Sequence, residues 1–380
     1  MVYLNQAATT YPKPQEVIKA VSDSITTIPQ GQFRSSSASE DIFASCKDRL
    51  GELFGVKDTN NINFAAGATA GANALFYGLD FTDKKVVVTA TEHNSILRPA
   101  MNLLGEDRVI IAPCNSMGQV DAAALEDILM REDEVAAVFI NHCSNVTGYI
   151  QDMKTMAYLC HKYDKYVFAD FSQSAGCIPI DVEDWEVDGF IFAGHKGLYG
   201  IQGIGGYYVR PGIELRPFMY GGTGRDSRQL IYDEDYEYEV GTGATPAVAG
   251  LEAGVKYVLD KGVASIREHE MLLMQRLYSG LDMAGVSLHR VPFENRGPVL
   301  SLNVDGMKPS DVAYILQNGY DITVRTGLHC APLIHRAMGT YPFGTVRISV
   351  SDFNNEEDVE CLIDALEDIV NGMNYGDNRG

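Results

Sequence analysis

Short apolar runs alternating with helix-length amphipathic segments predict an α/β protein: a mostly parallel sheet with helices on both faces, joined to a smaller α+β C-terminal unit. The runs KKVVVTA (84–90), VAAVFINH (135–142), YVFADFSQ (166–173), DGFIFAGHK (188–196) and GGYYVR (205–210) are rich in β-branched and aromatic residues, as strands are. Between several of them, DAAALEDILMRE (121–132) and MKTMAYLCHKY (153–163) repeat apolar residues at intervals of three and four, the period of a helix packed on one face. That alternation is the pattern of parallel strands covered by crossover helices. At 380 residues the chain also exceeds the size at which one core keeps growing, which favours two units.

The large unit is expected over 15–250. From about 248 the texture changes to two long helical stretches, VAGLEAGVKYVLDKG and SIREHEMLLMQRLYSGL. A strand PVLSLNV (298–304) and helix-like segments around 309–318 and 355–372 follow. These define a small unit over 251–380, and the extended, proline-punctuated residues 1–14 are expected to pack against it.

A formal charge of -21, spread along the chain, would repel phosphate backbones and anionic lipid, so neither nucleic acid nor membrane is an expected partner. The N-terminus MVYLNQAATTYPKP lacks a basic and an apolar leader region, and no stretch approaches the roughly 20 apolar residues of a membrane span, so the chain reads as unexported. Seven cysteines without a CxxC pair suit neither a disulfide framework nor a zinc site and fit a reducing cytoplasm.

Open parallel sheets bind ligands in the crevice at the C-terminal ends of their strands. Four successive runs bring polar residues there: Glu92-His93-Asn94, then Ser144-Asn145, then Asp170 and Gln173, then His195-Lys196. A lone loop histidine or solvated lysine is ordinary, and it is their joint placement that marks a site. Asp170, among Val167, Phe168, Ala169 and Phe171, is costly to bury without a cation. The protonated ring nitrogen of pyridoxal 5'-phosphate is one such partner, and an arginine in a buried salt bridge is the alternative. Lys196 follows apolar or small residues and precedes GLYGIQGIGG. A lysine in a partly desolvated pocket has a lowered pKa and forms Schiff bases. The glycine run lacks the GK[ST] ending of a nucleotide loop and follows the lysine instead of preceding it.

For a phosphate, NFAAGATAGANALF (63–76) offers a glycine turn opening a helix, with Gly67, Ala68 and Thr69 presenting backbone N–H groups. A plain helix start with Thr69 as N-cap fits the same residues. In VRTGLHCAPLIH (324–335), Cys330 has His329 beside it and Arg325 nearby, and cationic neighbours favour a reactive thiolate. An ordinary loop thiol, or a metal ligand with His329 and His335, are the alternatives, the latter without a second Cys or close carboxylate. Arg347, within GTVRISVS (344–351), could clamp a carboxylate with two parallel hydrogen bonds or serve a structural ion pair.

These segments, together with AATTYPKP, GATAGAN, TEHNSILRP, SNVTG, GHKGLYG, GGTG, GTGATP, RTGLHCAPL and GTVRISVSDFN, resemble the class V aminotransferase family of fold-type I pyridoxal-phosphate enzymes. Within it the resemblance is to the cysteine desulfurase and selenocysteine lyase branch of the type that serves the Suf pathway. It covers nearly the whole chain, and GHK and RTGxHCAP together are its specific part. The resemblance implies a seven-stranded large sheet and a set of roles. Lys196 carries the cofactor, Asp170 pairs with the ring nitrogen, Gln173 contacts the ring hydroxyl, and His93 stacks on the ring. Asn145 contacts cofactor or substrate. Ala68, Thr69 and His195 hold the phosphate, and the partner subunit's Thr242 completes the cup, which implies a homodimer. Arg347 binds the substrate carboxylate and Arg325 sits beside Cys330. The implied reaction converts L-cysteine to L-alanine and leaves a persulfide on Cys330 for a sulfur-acceptor protein, in iron–sulfur cluster assembly. A short Cys330 loop implies a dedicated acceptor.

Several positions depart from the family pattern: Ala193 replaces a hydroxyl, Ala68 and Ala70 replace a threonine and an acidic residue, and Ser37 replaces a histidine. GTGATP stands for GTPNTP, and NQAATT for DNAATT. The acidic run YDEDYEYEV (232–240) reads as a solvated loop or as a docking surface for a basic partner. Two other functions stay open on the residues: a selenocysteine lyase or other C–S or C–Se lyase, and a degenerate fold member acting as a binding or sulfur-carrier subunit.

Overall fold

The computed structural model describes residues 1–27, 41–222, 228, 230–231 and 239–377, with side chains to 372. Strand β1 (Val2–Tyr3) opens the chain. The large sheet follows in β2 (Ile62–Ala65), β3 (Lys85–Thr89), β4 (Val109–Ala112), β5 (Val135–Asn141), β6 (Tyr166–Asp170), β7 (Gly189–Ala193) and β8 (Gly205–Val209). Its spatial order is β2-β8-β7-β6-β5-β3-β4. Parallel registers join β4, β3, β5, β6 and β7, while β8 runs antiparallel to both β7 and β2. The seven-stranded, mostly parallel sheet agrees with expectation. Two expected runs end early, because β6 stops at Asp170 and β7 at Ala193, so Gln173, His195 and Lys196 lie on the turns beyond.

Strand pleating sorts the apolar residues onto two faces. Val87, Val138, Ile140, Val167, Phe190 and Tyr208 enter one core, and Val86, Val88, Phe139, Phe168, Ile191 and Tyr207 enter the other. Helices Ile42–Phe54, Ala122–Arg131, Met153–Lys162 and Thr245–Lys261 cover the first face, and Ala68–Gly78 and Asn94–Leu104 cover the second. The expected boundary at 250 falls inside the helix Thr245–Lys261, whose Leu251, Val255 and Val258 all belong to the first core. The change of core comes in the next helix, Val263–Gly280, where Met271, Met274 and Leu277 turn to a separate cluster.

That cluster lies behind a second sheet made of β9 (Val286–Leu288), β10 (Val299–Val304), β12 (Arg325–Gly327) and β13 (Thr345–Ser349), with β11 (Ile322–Thr323) beside it. Strands β12, β13, β10 and β9 are antiparallel in that order. The first residues dock here: β1 pairs with β11, Asn5 bridges Ser349, and Leu4 is buried in this core. Among the described residues no helix is long and apolar enough to cross a membrane.

Candidate active site

The turns after β3, β5, β6 and β7 meet the segment after β12 around a cavity of about 310 Å³. Ala68, Thr69, His93, Asn145, Asp170, Gln173, His195, Lys196, Arg325, Cys330 and Arg347 all line it. Thr242 does not: it is exposed and lies outside the cavity of its own protomer. Ser37 and residues 232–238 of the acidic run lie outside the described residues.

At one end of the cavity the helix Ala68–Gly78 begins on Gly67, whose φ of 105° only glycine adopts freely. No side chain caps this helix, and Thr69, already inside its first turn, is not the N-cap that one reading of the segment required. The N–H groups of Ala68 and Thr69, which have no intrahelical acceptor, therefore open on the cavity wall. Ala68 and Ala193 bring no hydroxyl here. His195 supplies a ring whose pKa burial lowers to about 4, and its buried Nδ1 has no partner among the described residues.

Asp170 Oδ1 accepts from Ser172 N at 2.8 Å. Burial raises the pKa of this carboxyl, while the Ser172 N–H and the Lys196 ammonium oppose the rise. Lys196 is thus its cationic neighbour, and no arginine ion pair forms among the described residues. Burial lowers the Lys196 pKa to about 8, with Asp170 opposing and Arg347 and Arg325 adding to the fall. His93 caps the helix Asn94–Leu104, its Nδ1 accepting from Ser95 N at 3.0 Å, and burial followed by the Lys196 charge keeps the ring neutral with a pKa of about 3. Gln173 Nε2 donates to Ala7 O at 3.0 Å.

The sequence places Glu92 at this edge without giving it a role, and it gives the N-terminal segment no role in the site. Glu92 is buried, accepts from Thr89 Oγ1 at 2.9 Å, and is pushed well above the usual carboxylate range by burial and by Asp170. The N-terminal segment ties down the lysine turn. His195 O accepts from Thr10 N, from the Thr9 and Thr10 hydroxyls at 3.2 Å, and from Lys13 Nζ at 2.9 Å. Thr10 Oγ1 also reaches Lys196 O at 3.0 Å. The 186 residues between Thr10 and Lys196 leave no local signal of that clamp in the sequence.

Cys330 and His329 both hold left-handed backbone angles, φ 59° and 51°, in a conformation that costs a non-glycine residue about 1 kcal/mol or more. Tertiary bonds impose it: Asn94 N donates to Cys330 O at 2.7 Å and Asn145 Nδ2 to His329 O at 2.8 Å. Arg325 lies in β12, not in the loop, and its Nη2 reaches Cys330 Sγ at 3.6 Å. The expectation that His329 adds positive charge beside the thiol is overturned. Burial drives its pKa well below the usual value, and its Nε2 is engaged with Thr345 Oγ1 at 3.0 Å. A metal role with His335 gains nothing either, since no group of three His, Cys, Asp or Glu side chains able to hold a metal forms among the described residues.

Arg347 donates from Nη1 to Asn145 O at 3.0 Å and from Nη2 to Asn5 Oδ1 at 3.2 Å. It makes no ion pair among the described residues. Burial, then the Arg325 charge, lowers its pKa to about 9.

Leaving a buried polar atom without a partner costs about 1–3 kcal/mol. Five such atoms, Asn141 Oδ1, Asn145 Oδ1, Ser172 Oγ, His195 Nδ1 and Arg347 Nε, belong to residues around this one cavity. A helix N-terminus, a carboxylate beside a desolvated lysine, and a buried guanidinium around one cavity suit pyridoxal phosphate and an amino-acid carboxylate.

The family model described as "Aminotransferase class-V" matches residues 2–362. A probable cysteine desulfurase of Chlamydia muridarum is 30% identical, over 97% of this chain and 94% of its own length. One from Halobacterium salinarum is 29% identical, over 97% of this chain and 91% of its own length. The apo structure of a cysteine desulfurase from Thermococcus onnurineus superposes with a TM-score of 0.90 at 26% identity, covering 98% of this chain and 95% of that one.

Proposed function

The chain belongs to the class-V aminotransferase family, and from that premise we propose that it is a pyridoxal-phosphate-dependent cysteine desulfurase that leaves the sulfur of L-cysteine on Cys330. The carrying observation is that the desolvated amine of Lys196, the thiol of Cys330 with Arg325 against it, and the buried guanidinium of Arg347 share one cavity.

When bound, the cofactor supplies an electron sink for the bond broken at the substrate Cα. Lys196 would hold it, with Asp170 as partner for a protonated ring nitrogen, Gln173 for a ring hydroxyl and neutral His93 for the ring face. The start of the helix Ala68–Gly78, with Thr69 and His195, would receive its phosphate. Arg347 and Asn145 orient the substrate carboxylate. Lys196 Nζ, uncharged above pH 8 or so, takes the proton from Cα. The Cys330 thiolate, with the Arg325 guanidinium beside it, then attacks the substrate sulfur. An S–S bond forms, the substrate C–S bond breaks, and the electron pair remains on the carbon that takes up a proton to become the methyl group of alanine.

The Cys330 loop is pinned at two carbonyls, so the persulfide stays in place and a dedicated acceptor protein comes to it. Exposed Thr242 is available to a second copy, which supports a homodimer in which the partner subunit's Thr242 completes the phosphate cup. All seven cysteines are unbridged, in keeping with a reducing cytoplasm, and iron–sulfur cluster assembly is the pathway this sulfur would serve.

The test is incubation of the purified protein with L-cysteine, expecting alanine and a mass gain of one sulfur atom on Cys330. Full desulfurase activity in Cys330→Ala would sink the persulfide route. Retained activity of that variant on selenocysteine alone would instead favour a lyase. Lys196→Ala should abolish both the cofactor absorbance and turnover.

A further inference from the structure

The turn that carries Cys330 is closed by a hydrogen-bond circuit that begins and ends on His329. The ring Nε2 meets Thr345 Oγ1 at 3.0 Å, Thr345 Oγ1 reaches Ser301 Oγ at 3.0 Å, and Ser301 Oγ reaches Val146 O at 2.7 Å. Asn145, next to Val146 in the chain, returns its Nδ2 to His329 O at 2.8 Å. All five residues are buried.

The direction of each bond follows from counting protons. A carbonyl oxygen only accepts, and a hydroxyl has one proton to give. Ser301 gives its proton to Val146 O, so its oxygen accepts from Thr345. Thr345 has then given its own proton, and its oxygen accepts from His329. The ring therefore carries its hydrogen on Nε2. Burial holds the ring pKa well below its usual value, so Nδ1 stays bare, and it has no partner among the described residues.

The circuit joins β13 and β10 of the small unit to the turn after β5 of the large sheet, and it holds His329 by both ring and carbonyl. Without the ring N–H, the left-handed angles at His329 and Cys330 rest on the two carbonyl bonds alone. We propose that His329 is a positioning residue for Cys330: as the Nε2–H donor of this circuit it fixes where the thiol stands against the substrate sulfur, and it takes up no proton itself. This rests on the reading of Cys330 as the sulfur acceptor.

The donor is read from the imidazole nitrogen resonances of histidine-labelled holo-protein, with His329→Gln identifying the signal. A neutral ring protonated on Nε2 is expected, and a ring protonated on Nδ1 would overturn the proposal whatever the protein catalyses. For the positioning, His329→Gln keeps an N–H at the place of Nε2 and should hold kcat for alanine formation from L-cysteine within about threefold, whereas His329→Met, of similar size without a donor, should lose about tenfold or more. KM and the cofactor absorbance should stay near wild type in both, which a general loosening of the site would not allow. Equal turnover in the two variants would overturn the proposal. Should His329→Met not fold, Thr345→Val removes the acceptor of the same bond, and undiminished turnover there would overturn it as well. If the resonances show Nε2–H but wild type makes no alanine, the proposed function fails and the donor circuit stands.

Discussion

Lys196 shows how a single side chain trades stability for reactivity. Its pKa is lowered from 10.5 to about 8, chiefly by burial, so the unfolded chain binds that proton more tightly than the folded one. The folded apo-protein therefore carries a cost below pH 8 that fades as pH rises toward 10.5, amounting to at most about 3 kcal/mol at neutral pH. Lys196→Met should raise the Tm of the apo-protein at pH 7, with the gain shrinking at higher pH, while removing all activity. Calorimetric melts at two pH values check both the sign and the trend. In the wild-type apo-protein, uptake of pyridoxal phosphate should accelerate as pH rises and level off above about 8, as followed by absorbance. Asp170 was legible because an ionisable residue closing an apolar strand stands out locally, and Lys196 because it follows such a strand closely. The charge of His329 was not, because its burial comes from β13 and the helix Pro332–Ala337, which the sequence does not show touching it.

At the scale of the element, the position of Cys330 depends on the pairing of β12 with β13. Gly344, just before that pairing, has φ 80°, and a Cβ there would lie 2.0 Å from Gly327 O. Gly344→Ala should pry β12 away and shift both Arg325 and Cys330. The large sheet should keep the protein folded by circular dichroism while cysteine turnover falls about tenfold or more. The long strands of the large sheet announce themselves through their β-branched runs. Strands β2 and β4 have four residues each and β12 three, too short for a period to register, and their existence is decided by the neighbours that accept them.

Across the whole molecule, two separate cores carry the two halves of the site. Phe190, fully buried against Phe54 at 4.7 Å between ring centroids, sits in the first. Phe190→Ala should cost about 3–5 kcal/mol in denaturant unfolding, without a matching loss of activity per folded molecule. Sedimentation equilibrium should give twice the chain mass if the partner subunit's Thr242 completes the cup. The division into two units could be read from the change in texture near 248. Its position could not, since the helix Thr245–Lys261 keeps one apolar face across the expected boundary and only its packing on Gln15–Thr26 and Ile42–Phe54 assigns it to the first core.

The N-terminal segment that clamps the lysine turn also orders events in time. Its anchor on β13 lies 342 residues further on, from Ala7 to Ser349, so during synthesis the first strand leaves the ribosome long before its partner exists. Until β13 emerges, Arg347 is not yet made and the clamp on His195 has no fixed end. A growing chain can thus complete its large sheet while still holding an unfinished active site, and competence to bind an amino acid arrives only with the last strand.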